Sequence, residues 1–360
     1  MQHCIVKNIK KNSILKMNMT AKTMQGLEPI LAQELVALGA ENIQIQNRSV
    51  AFSGDKQLMY EANLWLRTAL RILVPIKQFY ANTENKLYQQ IKTIRWENYL
   101  HVDDTFAIDS VVSSDYFNHS KYVALKVKDA IADYFRDKYN KRPSVDIENP
   151  HLRINIYIKG DSCTLSLDSS GDSLHWRNYR VASTVAPLNE VLAAGLVLLS
   201  GWKGEKDFLD GMCGSGTIAI EAAFLATNTA PGLTRNVGYG FQRWNDFDQV
   251  LWNQVVENAQ KAKKQLNCKI TASDISQAAV EQAQKNIQKA GLEEIITLKT
   301  VDFAKSTSQN CVIIINPPYG ERIQPESLEE LYTEIGSTLK KQHTNSEVWI
   351  LSGTPETLKK

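Results

Sequence analysis

Short apolar runs alternate with amphipathic helical patterns through the second half of the chain. The runs are typical of buried strands, and the patterns between them place apolar residues at helical spacing. Strands that alternate with helices form a parallel sheet covered by the helices, so this half is predicted to be an α/β domain. The predicted elements are a strand at 208–209, a helix at 218–223, a strand at 269–274, a helix at 276–290 ended by Gly291, and strands at 296–301 and 311–315.

The first half shows a different pattern, in which helices and strands are mixed. Two alternating runs, 152–158 and 163–167, are separated by four residues that include a glycine, which predicts a β-hairpin. The other predicted elements are a helix at 27–38 ended by Gly39, strands at 43–45, 50–52 and 105–112, and an amphipathic helix at 121–139. The predicted domains are a basic, flexible leader (1–18), two small α+β domains (19–70 and 71–168) and the α/β domain (169–360).

The most informative motif, Asn316-Pro317-Pro318-Tyr319, follows the predicted strand at 311–315. A proline after Asn316 favours extended backbone there, and the ring of Pro317 fixes its own φ, so the Asn316 side chain and the Pro317 carbonyl are held as two acceptors. Two fixed acceptors suit the hydrogens of an exocyclic amine on a nucleobase, whose nitrogen is otherwise a poor nucleophile. Tyr319 offers a face on which an extruded base can stack. A strand-terminating turn with a packed tyrosine is the alternative.

A glycine-rich turn joins the first strand and helix of the α/β domain. Its spacing, Gly-x-x-Gly-x-Gly, is neither the dinucleotide fingerprint nor a phosphate-binding loop. Glycines in such a turn let the backbone approach a ligand and leave helix N-terminal amides pointing at it, although a plain strand-to-helix turn also tolerates them. The candidate ligand-binding residues are Asp210, Gly211, Met212, Cys213, Gly214, Gly216 and Thr217.

Two further carboxylates stand at the ends of the next two strands. Asp274 and Ile275 end the second strand, and Asp302 and Phe303 follow the third. Each aspartate has helix N-capping as an alternative role. Ligand sites in open α/β sheets lie at the carboxyl ends of the strands. The order of glycine loop, acid, acid and Asn-Pro-Pro-Tyr therefore predicts one binding site.

The composition agrees with a globular enzyme. Hydrophobic residues make up 43% and charged residues 22% of the 360 residues, and the net charge is only +2, so any nucleic-acid contact must come from local clusters. Five cysteines lack Cys-x-x-Cys spacing, which disfavours zinc and disulfides and suits a cytoplasmic location. Because of that cysteine spacing, no metal is expected. No run approaches the ~18 apolar residues of a membrane span, so no contact with a membrane is expected either.

At this point the chain resembles a known family. The glycine loop and the Asn-Pro-Pro-Tyr motif are similar to those of class I S-adenosylmethionine-dependent methyltransferases, specifically the THUMP-domain RNA guanine-N2 methyltransferases, and most similar to the bacterial 23S ribosomal RNA enzymes. The resemblance implies a Rossmann-like class I methyltransferase domain after an N-terminal ferredoxin-like domain and a THUMP RNA-binding domain. The resemblance begins at about Thr20, and further matching segments are 26–28, 34–35, 64–69, 128–131, 142–146 and 186–190.

The resemblance implies S-adenosyl-L-methionine as cofactor and methylation of a guanine exocyclic amine in RNA. Two alternatives stay open: an adenine-amine methyltransferase of DNA or RNA, which shares the motif, and a non-catalytic RNA-binding protein of ribosome assembly. The implied roles are the methionine moiety for Asp210, Gly214 and Gly216, the ribose for Asp274, the adenine for Asp302, and the target base for 316–319.

Two departures from the family pattern bear on the structure. The family usually has Arg-Gly-Tyr-Arg where this chain has Arg-Asn-Tyr-Arg at 177–180, so we expect a tight turn with Asn178 in the left-handed region. The family also usually continues into a final hairpin strand, whereas this sequence stops at Lys360. We expect either a sheet without that strand or a shortened sequence.

RNA contacts are predicted from basic residues. Arg177 and Arg180 lie in the linker before the α/β domain, where a substrate strand must pass, and Lys121 and Arg142 are candidates in the second domain. The leader is expected to be a flexible tail, with an RNA-binding arm as the alternative. A polar and aromatic insertion at 226–266 is expected either to cover the cofactor or grip RNA, or to add a helix on the sheet.

Overall fold

The computed structural model describes residues 16–181, 187–318 and 325–353, of which 325–327 are described as backbone only. Most of the predicted leader, and Tyr319, lie outside the described residues. The strands are β1 Met17–Lys22, β2 Glu41–Gln46, β3 Ser49–Gly54, β4 Arg71–Tyr80, β5 Thr105–Ser113, β6 Ser144–Val145, β7 Leu152–Lys159, β8 Ser162–Asp168, β9 Asp207–Asp210, β10 Ile270–Asp274, β11 Ile296–Thr300, β12 Ser308–Gln309, β13 Cys311–Ile315, β14 His343–Thr344 and β15 Glu347–Ile350. The helices are α1 Glu28–Ala37, α2 Lys56–Trp65, α3 Glu84–Lys92, α4 Ser120–Tyr139, α5 Glu190–Leu199, α6 Thr217–Ala226, α7 Gln249–Lys261, α8 Gln277–Ala290 and α9 Pro325–Gln342.

Local signals in the sequence set where several helices begin and end. The Ser276 hydroxyl accepts a hydrogen bond from the Ala279 N–H at 3.3 Å and caps α8, which ends at Gly291 with φ at 69°. The carboxylates of Asp55 and Asp248 cap α2 and α7 in the same way. The helix predicted before Gly291 is therefore confirmed.

An eight-stranded sheet runs through both small domains in the order β2-β3-β1-β4-β8-β7-β5-β6. Strand β4 joins the two halves, because it pairs antiparallel with β1 on one side and with β8 on the other. The register of β4 against β8 shifts between Pro75 and Lys77, which places the proline at an irregularity of the ladder. The predicted hairpin is confirmed as β7 and β8, with Gly160 at φ 60° in its turn.

The α/β domain contains a five-stranded sheet in the order β11-β10-β9-β13-β15, and every pair of neighbours is parallel. The predicted α/β class is confirmed. All five residues of β13 are buried, as expected of a central strand with helices on both faces. Because β9 lies between β10 and β13, the carboxyl ends of these three strands meet at one edge of the sheet.

The insertion at 226–266 packs against the first domain. Its helix α7 lies on α2, where the Tyr60 ring contacts Phe241 and Trp252 at centroid distances of 4.4 and 5.8 Å. Arg243 Nη1 also donates to Pro150 O at 2.5 Å, which joins the insertion to the second domain. The expected extra helix is present, but the expectation that it packs on the sheet is wrong. Since Phe241 and Trp252 are buried between domains, their rings are also not available to grip RNA.

Three compositional expectations can be compared with the described part of the chain. In those ranges, no helix combines the length and apolar character needed to cross a bilayer. The same residues contain no group of three or more His, Cys, Asp or Glu placed to hold a metal ion. The four described cysteines, Cys163, Cys213, Cys268 and Cys311, are free thiols.

Replacing Trp252 by Ala is expected to lower the free energy of unfolding by about 3 kcal/mol, because the ring is 8% exposed and packs on Tyr60 across the domain boundary. Val250 lies in the same helix but is 68% exposed, so Val250→Ala should change that free energy by less than about 0.5 kcal/mol. Urea unfolding followed by circular dichroism measures both variants. Equal losses for the two variants would contradict the assigned interface.

Candidate active site

Asp210 ends β9 and is fully buried, with 0% of its surface exposed. Its Oδ2 accepts a hydrogen bond from the Ala219 N–H, in the first turn of α6, at 3.2 Å. Its Oδ1 is buried without a hydrogen-bond partner among the described residues. Burial raises the pKa of Asp210 to about 8, and the nearby charge of Asp274 adds to the shift. A buried oxygen of this kind is suited to a ligand that brings its own donor.

The turn from β9 to α6 requires glycine at particular positions. A Cβ on Gly211 would lie 2.6 Å from ring carbons of Phe303, so no side chain fits there. Gly214 and Gly216 have φ angles of 53° and 81°, in the left-handed region that glycine adopts without strain. The loop therefore reaches the start of α6 with its backbone uncovered by side chains at these three positions.

Cys213 lies in this loop and is 8% exposed. Burial raises the pKa of its thiol, and the carboxylates of Asp210 and Asp274 raise it further, so the thiol stays protonated and is not a nucleophile. The Cys213 N–H donates to Ser273 O at 2.9 Å, which joins the loop to β10. The neighbouring Met212 is partly buried against the core beside β13.

Asp274 holds the glycine loop in place. Its Oδ2 accepts from the Gly214 N–H and its Oδ1 from the Ser276 N–H, both at 2.9 Å. The helix cap of α8 is Ser276, so the N-cap alternative for Asp274 is wrong. Ile275 is 70% exposed beside it, at the edge of the sheet.

Asp302 and Phe303 have local structural partners. Asp302 Oδ1 accepts from the Ala304 N–H at 3.0 Å and caps a short 3-10 turn, so the capping alternative is correct for this residue. Phe303 is 4% exposed and stacks on the His343 ring at a centroid distance of 5.0 Å. Phe303 was a candidate ligand-binding residue because it follows the third strand, but its ring is not open to a ligand: it packs in the core beneath Gly211 and supports the loop.

Asn316 follows β13, and β13 pairs with β9 so that Ile314 lies opposite Asp210. The Asn316 Oδ1 is buried and has no hydrogen-bond partner among the described residues. Pro317 beside it is buried, and Pro318 is partly buried. Two neighbouring strands thus end in buried oxygens that lack donors. This edge of the sheet fits a ligand or ligands rich in N–H and O–H groups.

Arg177 is not placed to contact RNA, and its prediction as an RNA-binding residue is corrected. Its side chain is 2% exposed, and its guanidinium donates to Leu174 O and, at 2.5 Å, to Arg67 O. Its Nε lies 3.6 Å from Glu221 Oε1 in α6. The arginine therefore ties the linker and the first domain to the helix that follows the glycine loop.

Arg180 is partly buried against the glycine loop. It donates to Ser215 Oγ and Thr217 Oγ1, each at 3.2 Å, and to Glu190 Oε1 at 2.8 Å. The Thr217 hydroxyl is therefore turned towards Arg180. Asn178 has φ at 65°, which confirms the predicted left-handed turn.

Two further residues were predicted to bind RNA, and two residues near the glycine loop were not predicted at all. Lys121 and Arg142 are exposed on the second domain and stay predictions as RNA contacts. Sequence reasoning overlooked Glu221, which bonds Tyr179 Oη at 3.0 Å, and Asn286, whose Nδ2 donates to Ser215 O at 3.0 Å. The available signal for Glu221 was a single charged residue within an otherwise apolar helical stretch, whereas Asn286 lies in a largely polar helix that offers no such signal.

Comparison with known families agrees with this architecture. The profile of an RMKL-like methyltransferase domain matches residues 177–359, a THUMP domain matches 81–168, and an RlmL ferredoxin-like domain matches 18–73. Most of β4 falls between the last two ranges. The domain boundaries inferred from the sequence therefore stay predictions, because the shared sheet offers no clean division.

Individual proteins show the same likeness. A Synechocystis protein with the provisional name RNA methyltransferase is 40% identical over 337 residues, which cover 92% of this chain and 88% of that protein. A structure from Listeria monocytogenes, described as a predicted N6-adenine-specific DNA methylase, is 31% identical with a TM-score of 0.84 and covers 96% of this chain and 91% of its own. SMU.472, provisionally assigned as a methyltransferase and complexed with SAH, is 32% identical with a TM-score of 0.84 and the same two coverages.

The chain belongs to the RMKL-like methyltransferase family, with a THUMP domain and an RlmL-type ferredoxin-like domain before the catalytic domain. It is a class I methyltransferase that uses S-adenosyl-L-methionine, as the sequence resemblance implied. The Asp210 oxygen without a partner among the described residues and the three glycines of the loop fit such a cofactor, since it carries an ammonium group and needs close backbone approach.

Because the pKa of Asp210 is raised to about 8, we expect affinity for S-adenosyl-L-methionine to increase with pH. An ammonium group beside Asp210 favours the ionised carboxylate, so binding below about pH 8 should release a proton, and affinity should level off above that pH. Calorimetry in buffers of different ionisation enthalpy measures the proton release, and Asp210→Asn should abolish it. A pH-independent affinity between about pH 6 and pH 8 would exclude this coupling.

Proposed function

We propose that this methyltransferase acts on the exocyclic N2 amine of a guanine in 23S ribosomal RNA. The observation that carries the proposal is the buried Oδ1 of Asn316, which has no hydrogen-bond donor among the described residues. Asn316 follows the strand that pairs with the strand ending in Asp210, so this acceptor lies beside the start of the glycine loop. An amine with two hydrogens supplies what the oxygen lacks.

We assign the cofactor to the glycine-loop side of this edge. Asp210, with Gly214 and Gly216, would hold the methionine moiety, Asp274 the ribose and Asp302 the adenine. When bound, S-adenosyl-L-methionine supplies an electrophilic methyl group on a sulfonium, which leaves as a neutral thioether. Asp274 is already fixed by two hydrogen bonds from the loop and from α8, so its orientation is set before any ligand arrives.

The target amine is assigned to Asn316 and Pro317. Acceptance of its two hydrogens by Asn316 Oδ1 and Pro317 O would localise the nitrogen lone pair and orient it, and this positioning supplies most of the catalysis. A strong base would not be needed, because methyl transfer to the neutral amine would give a positively charged, strongly acidic ammonium, which can pass its proton to water. Tyr319, outside the described residues, is proposed to stack on the base.

RNA is favoured over DNA by the domains before the catalytic domain. A THUMP domain precedes it, and the Synechocystis relative carries an RNA methyltransferase name. We assign guanine and 23S ribosomal RNA from the family resemblance of all the matching motifs taken together. The Asn-Pro-Pro-Tyr motif alone does not decide between guanine and adenine, because adenine-amine methyltransferases share it. The Listeria neighbour is described as a predicted N6-adenine-specific DNA methylase, so methylation of an adenine amine in DNA is the second candidate function, and the experiments below test it as well.

Asn316→Ala should lower kcat by roughly 10²- to 10³-fold, a loss comparable to the removal of one fixed transition-state hydrogen bond. Affinity for S-adenosyl-L-methionine, measured by calorimetry, should stay near the wild-type value, because Asn316 is assigned to the base. Asn253→Ala is the matched control, since Asn253 is exposed on α7 and bonds only Gln249 among the described side chains. Wild-type turnover in Asn316→Ala would refute the assigned role.

The substrate itself is tested in two steps. Mass spectrometry of ribosomal RNA from cells that lack the gene should reveal one missing N2-methylguanine, which the purified enzyme restores in vitro. Labelled cofactor offered with separate DNA and RNA pools should label only RNA. Label confined to DNA, or to adenine in either pool, would overturn the proposal.

A further inference from the structure

A cleft of about 390 Å³ is lined by linker residues 175–178 and 180 and by the segment at 187–190. Trp176 lies on its wall with 53% of its surface exposed. The backbone of this tryptophan is fixed on both sides, because its N–H donates to Ser173 O at 3.1 Å and its carbonyl accepts from Arg235 Nη1 at 2.9 Å. The His175 ring packs against it edge-on at 5.7 Å. A large flat ring is therefore presented to solvent from a rigid segment.

The charges of the cleft disfavour a phosphate. The Arg180 guanidinium already donates to Glu190 Oε1, Leu188 O and two hydroxyls of the glycine loop, so its charge and most of its N–H groups are used within the protein. Burial lowers the pKa of His175, which keeps its ring neutral at neutral pH. An uncharged, flat ligand suits such walls better than an anion.

One polar group of the cleft lacks a partner. The Asn178 Nδ2 is buried and donates no hydrogen bond among the described residues. An amide donor beside an exposed indole matches a nucleobase, which has a face for stacking and ring nitrogens or carbonyls that accept. The cleft also adjoins the methyl-transfer site, since Arg180 on its floor bonds the hydroxyls of Ser215 and Thr217 in the glycine loop.

We propose that this cleft binds one unpaired base of the substrate RNA, adjacent in the strand to the methylated nucleotide. The base stacks on Trp176 and accepts a hydrogen bond from Asn178 Nδ2 after a small adjustment of that side chain. This assignment rests on the proposed function for the identity of the RNA. It also replaces the RNA contacts expected of Arg177 and Arg180 with a base contact made by Trp176 and Asn178.

The test compares Trp176→Ala with Trp176→Phe, which keeps a flat ring. A fluorescently labelled single-stranded RNA of about ten nucleotides is the binding probe, and anisotropy gives its affinity. We expect Trp176→Ala to weaken binding roughly tenfold and Trp176→Phe to weaken it less than about threefold, given the usual contribution of one stacked base. Affinity for S-adenosyl-L-methionine should be equal in all three proteins, and thermal melting checks that each is folded.

A second variant tests the amide. Asn178→Gly keeps the left-handed backbone, because glycine adopts it freely, and removes only the side chain. We expect it to reduce the preference among RNA probes that differ in one base while preserving stacking on Trp176. An unchanged base preference would remove Asn178 from the proposal.

Three outcomes would overturn the site itself. The first is equal RNA affinity in Trp176→Ala and the wild type, and the second is an equal loss in Trp176→Ala and Trp176→Phe. The third is loss of cofactor affinity alone in Trp176→Ala, which would assign the cleft to S-adenosyl-L-methionine. Failure of the wild type to methylate ribosomal RNA would instead refute the proposed function, and the binding comparison would still judge the cleft.

Discussion

The orientation of the domains depends on charges buried where the first domain meets α6. Arg67 and Arg177 lie there with Glu221, and Glu34 is partly buried beside them, so positive and negative groups balance. Arg67 Nη2 donates to Phe224 O and, at 2.9 Å, to Thr229 O, while Glu34 accepts from the Arg67 N–H at 2.8 Å. Removing each charged group from water costs several kcal/mol, and the attraction between the buried charges roughly offsets that cost. The network therefore adds little to the free energy of unfolding. What it fixes is geometry, because the bonds that Arg67 makes to Phe224 O and Thr229 O form only when the first domain is docked on α6 in this way. The pairing is incomplete, since Arg67 Nη1 and Glu221 Oε2 are buried without a hydrogen-bond partner among the described residues.

The edge of the sheet that forms the candidate active site also contains buried atoms that have no partner among the described residues, and here both are oxygens. There Asp210 and Asn316 each have a buried oxygen without a hydrogen-bond partner in the described part of the chain, at a cost of about 1–3 kcal/mol for each unsatisfied group. The surrounding contacts make this cost tolerable and hold the geometry: Asp274 binds the loop, Phe303 packs beneath Gly211, and Arg180 ties the loop to the linker. These contacts fix the glycine loop of the candidate site before any ligand arrives, and a fixed geometry is the condition for catalysis by positioning.

The sequence predicted the α/β half more accurately than the rest of the chain. A central parallel strand such as β13 is a continuous apolar run, and local caps such as Ser276 and Gly291 mark a helix unambiguously. Strand β4 was missed because Pro75 and Lys77 interrupt its apolar pattern, and the strand is stabilised by partners that are distant in sequence.

Some features of the candidate site could likewise be predicted from the sequence, and others could not. Its order along the strand ends could be predicted, since the topology of a parallel sheet brings those ends together. The role of Arg177 could not, because a lone arginine in a linker looks the same whether it faces water or Glu221. The partly local role of Asp302 was foreseen only as an alternative, because capping and ligand binding favour the same residue type.

The shared strand β4 determines whether the two small domains of the N-terminal half can be separated. Since β4 satisfies its backbone groups on one side with β1 and on the other with β8, neither small domain owns a complete sheet. If the chain were cut on either side of this strand, an edge strand with unpaired backbone N–H and C=O groups would be exposed. Such an edge promotes aggregation. The ferredoxin-like and THUMP modules thus share one continuous sheet, and neither module contains the whole of it.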